Sequence, residues 1–292
     1  MSGLELEVPI SYVNLGRLNI WLGSGANTFT VTSTFSTTDT TLYTAAGNDT
    51  VYINGASGTL IVNGEEGNDT FNVTATGLGS EVDLNGQQGN DTFNLSDQAP
   101  ALPAAYPTMQ SPPAADTSGK IDSINGLVVI DGGLGLGHDV INVDDSANTA
   151  NKAGTLKSTT LRGLEMEGGV DYANAEEFNL WLGTGTDGLY IDSTHAGTTN
   201  VFMGDGNTTV NQRDDTIAIK SIGGTTTIHG QGGNDFFYVN VATNDNDPAF
   251  YAQFKLAVAA TANDNLFNAL FPRTSSNAIS GGLNPWGSGD PN

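Results

Sequence analysis

Short stretches of the chain alternate apolar and polar residues with a period of two, and glycine-rich turns separate them. Val82 and Leu84 alternate with Glu81, Asp83 and Asn85, while Phe71 and Val73 alternate with Thr70, Asn72 and Thr74. That period puts all the apolar side chains of a strand on one face. The turns recur as well. Gly47-Asn48-Asp49-Thr50-Val51, Gly67-Asn68-Asp69-Thr70-Phe71 and Gly89-Asn90-Asp91-Thr92-Phe93 are spaced by 20 and then 22 residues. Gly137-His138-Asp139-Val140, Gly185-Thr186-Asp187 and Gly233-Asn234-Asp235 continue the series. A period near 20 punctuated by glycine turns is that of a solenoid coil. Each coil predicts two short strands, one running into the Asn-Gly turn and one leaving the Asn-Asp-Thr turn. The expected fold class is therefore all-β, a parallel β-helix (β-solenoid) with coils of about 20–22 residues. A single coil cannot bury its inward side chains, so stability must come from stacking on its neighbours. Eight or nine coils at the ~4.8 Å strand spacing predict a rod on the order of 40 Å long.

A coarser repeat lies over the fine one. At an offset of 160 positions, Gly3-Leu4-Glu5, Tyr12, Asn14, Asn19 and Trp21-Leu22-Gly23 meet Gly163-Leu164-Glu165, Tyr172, Asn174, Asn179 and Trp181-Leu182-Gly183. Farther along the offset becomes 166, so that Gly67-Asn68-Asp69 meets Gly233-Asn234-Asp235, with a short insertion near Gly204 to Arg213. The expected organisation is a first solenoid module over 1–160, a second over 161–243 and an irregular or partly helical cap over 244–292. Met1 aligns with the interior position Leu161, which predicts a segment of a longer tandem array. Inside the first module, residues 96–125 carry Pro100, Pro103, Pro107, Pro112 and Pro113. Proline supplies no ladder donor, so this stretch is expected to be a loop ejected from the stack. Removing about 27 residues there places Asp139 one coil after Asp91. In the last segment Asp247-Pro248 resembles a helix N-cap followed by proline at the first helical position, with Phe250, Phe254, Leu256 and Val258 as a covering face.

Composition narrows the partners. The 292 residues carry 32 Asp and Glu against 9 Lys and Arg, a formal charge of -23, with 38 Gly and no Cys. Such a chain is repelled by nucleic acid and by anionic lipid surfaces, whereas divalent cations are attracted. No apolar run approaches the roughly 18 residues of a membrane span, so membrane insertion is not expected. The absence of cysteine excludes disulfides and thiolate metal sites.

The turn Gly64-Glu65-Glu66-Gly67-Asn68-Asp69-Thr70-Phe71 resembles the nonapeptide of RTX-type calcium-binding β-rolls, G-G-x-G-x-D-x-U-x with U a large apolar residue. More broadly, the chain resembles the Gly-Asn-Asp-Thr repeats of very large secreted or cell-surface proteins, whose functions are mostly adhesive or unassigned. The first resemblance implies Ca²⁺ held between turns of adjacent coils by stacked aspartates, with Asp49, Asp69, Asp91, Asp139, Asp215 and Asp235 as the metal-ligating set. Glycine turns that aim carbonyl oxygens inward, together with a hard carboxylate, suit that ion. The pattern also departs from the family: the second glycine is Glu65, Gln87 or Gln231, and the opposite turn of each coil lacks the signature. The alternative is that Asn and Asp simply close the turns through their own side chains. For Asp187 that alternative is the expectation.

Other residues suggest surface chemistry. Trp21 and Trp181 occupy equivalent module positions, and alternation points both indoles outward, to stack on sugar rings or on a partner rod, unless a loop folds over them. Threonine pairs such as Thr37-Thr38 and Thr198-Thr199 raise a minor ice-binding alternative, although threonine is also a good strand residue. Six Asn-x-Ser/Thr matches, at Asn48, Asn68, Asn72, Asn90, Asn94 and Asn207, are largely by-products of the repeat.

Catalysis by a β-helix needs an acid–base cluster on a groove. The nine basic residues are scattered, and His138, His195 and His229 fall at unrelated turn positions. A catalytic site would also break the repeat at one place, whereas the polar pattern recurs in both modules and suits multivalent contact. The expectation is a non-catalytic, extracellular or cell-surface structural and adhesive segment, calcium-stiffened. Its expected partners are neighbouring modules or copies of itself, and glycans. The alternative is a carbohydrate-acting or carbohydrate-binding β-helix.

Overall fold

The structure, a computed structural model, describes residues 11–100, 119–135, 137–204, 215–239 and 283–286. Its elements are all strands, twenty among the described residues, and the pairing is that of a parallel β-helix. The chain divides into two compact units. One comprises residues 1–102, 120–144 and 166–178; the other comprises 103–119, 145–165 and 179–292.

In the first unit, strands alternate between two sheets as the chain winds. One sheet takes β1 (Arg17–Trp21), β3 (Asp39–Tyr43), β5 (Thr59–Asn63), β7 (Glu81–Asn85), β9 (Leu127–Asp131) and β13 (Met166–Ala173), each parallel to the next. The other takes β2 (Thr28–Val31), β4 (Thr50–Ile53), β6 (Thr70–Val73), β8 (Thr92–Leu95) and β10 (Val140–Asp144), again all parallel. The register follows the repeat: Thr50, Thr70 and Thr92 pair in succession, and so do Val51, Phe71 and Phe93. Period-two alternation becomes burial. In β7, Val82 and Leu84 are fully buried while Glu81, Asp83 and Asn85 face outward. Inward residues stack by type, with Phe71 and Phe93 parallel at 4.9 Å and Val31, Ile53, Val73, Leu95 and Val143 all at 0 % exposure. Each such side chain contributes about 1.5–3 kcal/mol by burial.

Two turn geometries hold the coils at this spacing. Gly47, Gly67 and Gly89 sit at φ of 129°, 136° and 138°, and a Cβ on Gly67 would collide with the carbonyl of Gly47 one coil away. Only glycine fits there. Two residues earlier, Ala45, Glu65 and Gln87 adopt left-handed φ of 69°, 68° and 73°, so side chains stand where the RTX pattern has its second glycine.

Within the stretch 96–125, the central residues 101–118 lie outside the described residues. Both ends are part of the stack. The Asp97 amide donates to Lys120 O at 2.8 Å, Thr76 bridges to Ile124, and Ile121 and Ile124 are fully buried. The excursion therefore closes at Lys120, and β8 pairs directly with β10.

In the second unit, β11 (Ala153–Lys157) forms an antiparallel hairpin with β12 (Thr160–Gly163), a local break in the solenoid pattern. From β11 the parallel ladder runs through β15 (Gly188–Ile191) and β17 (Thr216–Ile219) to β19 (Phe236–Val239). On the other side, β16 (Thr198–Phe202) pairs with β18 (Thr226–His229), and β18 pairs with β20 (Leu283–Trp286). Strand β14 (Glu177–Trp181) lies at the boundary in the sequence between the two units. The helix expected after Asp247-Pro248 lies outside the described residues, as does the insertion near Gly204 to Arg213 from 205 onward; within 244–292 the described element is the strand β20.

Candidate functional site

The repeated aspartates build a carboxylate ladder along the first unit. Asp49 Oδ1 accepts the Asn27 amide at 2.6 Å. In turn Asp69 Oδ1 accepts the Asp49 amide, Asp91 Oδ1 that of Asp69, and Asp139 Oδ1 that of Asp91, each at 2.8 Å. Glu176 Oε2 closes the series on the Asp139 amide at 2.7 Å. A second ladder beside it runs the opposite way: Asn48 Oδ1 accepts the Asn68 amide, Asn68 Oδ1 that of Asn90, and Asn90 Oδ1 that of His138, at 2.8–2.9 Å. The Asn-Asp dipeptide thus ties each turn to the coil on either side. The asparagines are exposed, while Asp49, Asp69, Asp91 and Asp139 are at most 5 % exposed.

One oxygen of each carboxylate is committed to the ladder. The other, in Asp49, Asp69 and Asp91, is shielded from solvent and has no hydrogen-bond partner. In Asp69 and Asp91 it lies over a glycine of its own turn, whereas Thr44 occupies the equivalent position in the Asp49 turn. A Cβ on Gly64 would collide with Asp69 Oδ2 and stand 2.8 Å from Gly86 O; on Gly86 it would collide with Asp91 Oδ2 and stand 2.8 Å from Gly132 O. A carboxylate oxygen and a carbonyl oxygen of the next coil therefore converge on the space that glycine leaves. A proton or a cation in that space would satisfy both acceptors.

Charge behaves accordingly. Burial pushes the Asp69 carboxyl up to about 7; the Asp49 amide opposes this, and the charges of Asp91 and Asp49 add to it. Burial also pushes Asp139 up to about 6 and raises Asp91.

A second ladder stands in the second unit. Asp187 Oδ1 accepts the Lys152 amide at 2.8 Å, Asp215 Oδ1 accepts the Asp187 amide at 2.6 Å, and Asp235 Oδ1 accepts the Asp215 amide at 3.4 Å. Asp187, expected to serve only its own turn, is a full rung, and it also accepts the Gly183 amide on Oδ2 at 3.1 Å. Burial pushes its carboxyl up to about 7. Here the head of the ladder is a lysine. The Lys152 ammonium, fully buried, lies 3.1 Å from Asp145 Oδ2 and 3.9 Å from the exposed Glu165. The second unit thus carries an internal cation beside its buried carboxylates.

No family model matches the chain, and no curated protein or solved structure matches it. The oxygens that flank the spaces at Gly64 and Gly86 are carboxylate and main-chain oxygens, a hard donor set that suits Ca²⁺. Asp49, Asp69 and Asp91, with the carbonyls of Gly86 and Gly132, are the residues that would hold it. Among the described residues no three carboxylates or imidazoles form a compact metal cluster.

The structure separates the two tryptophans. Trp21 is 65 % exposed and lies flat on Tyr43, ring centroids 5.4 Å apart and planes 5° apart. Trp181 is buried and stacks on Phe202, which in turn stacks on His229. The outward indole expected at 181 is thus covered. His138 is an exposed partner of Glu177 at 3.2 Å, and His195 accepts the Gly197 amide of its own turn.

Sequence reasoning missed Asn27, Glu176 and the Lys152–Asp145 pair. Asn27 lies one 22-residue period before Asp49, a signal available in the sequence. Glu176 and Lys152 stand outside any Gly-Asn-Asp motif and carry no such signal.

Proposed function

We propose that this chain is a non-catalytic structural and adhesive repeat segment of an extracellular or cell-surface protein, whose coils are stiffened by calcium. The observation that carries this reading is the recurrence of an aspartate rung with a buried, unpartnered oxygen at Asp49, Asp69 and Asp91, lying over a glycine at the last two. A device repeated in successive coils distributes its effect along the array, which suits a stiff spacer better than a single reaction centre. The surplus of 32 acidic over 9 basic residues supports the same partner, since a cation that binds only the folded coil offsets the chain's own repulsion and stabilises it by mass action. Extracellular calcium modules work at about 10⁻⁴–10⁻³ M, the concentration range this role requires. Stacking on neighbouring modules or on a second copy accounts for assembly.

The test is a thermal melt of the chain in EDTA, in millimolar CaCl₂ and in equimolar MgCl₂. A rise in Tm specific to calcium, reduced in Asp69→Ala, is expected. Equal melting in all three buffers would refute calcium stiffening.

A further inference from the structure

The outward face of the sheet formed by β1, β3, β5, β7 and β9 carries a graded row of side chains in strict register: Trp21, Tyr43, Asn63, Asn85 and Asp131. At its head the Trp21 and Tyr43 rings stack face to face, and the Trp21 indole is 65 % exposed. Next to it Asn85 Nδ2 donates to Asn63 Oδ1 at 3.2 Å, so the pair presents both donors and acceptors along the row. At the far end Asp131 Oδ1 accepts Asn174 Nδ2 at 2.7 Å. The adjacent row sets Asp83 between Ile61 and Val129. Asp83 is half-buried with its Oδ1 shielded from solvent, so the remainder of its carboxylate is what can meet a ligand.

We propose that this face binds an uncharged glycan chain lying across the strands, with a sugar ring on the exposed Trp21 indole and hydroxyl groups bonded to Asn63, Asn85 and Asp83. The ligand class follows from the chemistry. A pyranose ring has an apolar face that stacks on an aromatic ring and a rim of hydroxyls that both donate and accept, and this face offers complements to each. The ~4.8 Å step between strands is close to the width of one sugar ring, so successive rings meet successive coils. Charge excludes an acidic polysaccharide: the five strands carry Asp39, Glu81, Asp83 and Asp131 against Arg17 as their one cation. The inference deepens the adhesive reading by naming its ligand, and it does not depend on calcium.

The experiment is calorimetric titration of the full chain with β-linked hexasaccharides of glucose, xylose, mannose and N-acetylglucosamine. Hexagalacturonate serves as the charged comparison, and reducing ends are assayed in parallel. Binding of at least one uncharged hexasaccharide is expected, weakened about tenfold or more in Trp21→Ala and in Asp83→Ala, with unchanged Tm in Trp21→Ala. Three outcomes overturn the site: no binding of any uncharged probe, tighter binding of hexagalacturonate, or Trp21→Ala and Asp83→Ala binding like the parent. A dimer that depends on Trp21, found without sugar binding, would assign the face to self-association and also overturn it. Release of reducing ends would leave the site standing and sink the non-catalytic reading, whereas a missing calcium effect on Tm would touch only the stiffening.

Discussion

Asp69 Oδ1 accepts the main-chain amide of Asp49 at 2.8 Å, while the amide of Asp69 itself donates to Asp91 one coil farther on. Each rung is thus acceptor to one neighbour and donor to the other. The two oxygens of the carboxylate have separate duties, and substitution can separate them. Asp69→Asn keeps an acceptor for the Asp49 amide and removes the buried charge. In EDTA at pH 8 its Tm should equal or exceed that of the parent, while the calcium increment falls. Asp69→Ala leaves the Asp49 amide unsatisfied, a loss of about 1–3 kcal/mol, and should melt lower in every buffer. Scanning calorimetry of the three proteins with and without CaCl₂ distinguishes these outcomes.

The raised carboxyls make stability depend on pH in a direction opposite to that of ordinary salt-bridged acids. Asp69 and Asp187 are pushed up to about 7 and Asp139 to about 6, from an ordinary value of 3.8. Between the ordinary and raised values the folded chain binds more protons than the unfolded one, so stability falls as pH rises. In EDTA, Tm should therefore rise on acidification from pH 8 to pH 5. Calcium competes with the same protons, so its increment should be large at pH 8 and small at pH 5. A Tm that falls between pH 8 and pH 5 in EDTA would show that the ladder carboxylates are ionised throughout.

How much of this is legible in the sequence depends on whether a feature repeats. Alternation in Glu81–Asn85 and the 20- and 22-residue spacing of Asp49, Asp69 and Asp91 are enough to place the strands, their inward faces and the ladder. They suffice because one register, repeated, satisfies burial and hydrogen bonding together. Features that occur once escape. Among the described residues the β11–β12 hairpin has no counterpart in other coils, and Glu176 reaches Asp139 from a turn with no Gly-Asn-Asp motif. Trp21 and Trp181 share a motif but not an environment. Whether an outward side chain is covered depends on what lies beyond the strand, and alternation does not report that.

Glycine content separates into structural and permissive positions. Gly67 has φ of 136° and faces the Gly47 carbonyl, whereas Gly23 has ordinary φ and open space where a Cβ would go. Gly67→Ala must both strain its backbone and push two coils apart, and should cost several kcal/mol. Gly23→Ala should leave stability within about 0.5 kcal/mol. Urea denaturation of the two variants gives the comparison, and similar midpoints would mean that coil spacing tolerates a methyl group at the turn.

The Lys152–Asp145 pair tests how the second unit handles its buried charge. Both side chains are 1 % exposed and their charged atoms are 3.1 Å apart. The Lys152 amide also heads the Asp187 ladder. Lys152→Met retains that amide but leaves Asp145 as a buried carboxylate without its cation, a change that costs about 3–5 kcal/mol. Adding Asp145→Leu removes the stranded charge and should recover most of the loss, since an apolar pair of similar volume replaces the ion pair. The Lys152 charge also lowers the Asp187 carboxyl, against the burial that raises it. The Asp145 charge raises that carboxyl by more than the Lys152 charge lowers it, so in the double variant Asp187 should titrate lower than in the parent, and the acid stabilisation of the chain should set in at lower pH. Urea midpoints measured from pH 5 to pH 8 for the parent, single and double variants read both effects. A double variant as unstable as the single one would mean that the ammonium is needed by the ladder itself, in the role that calcium is proposed to fill in the first unit.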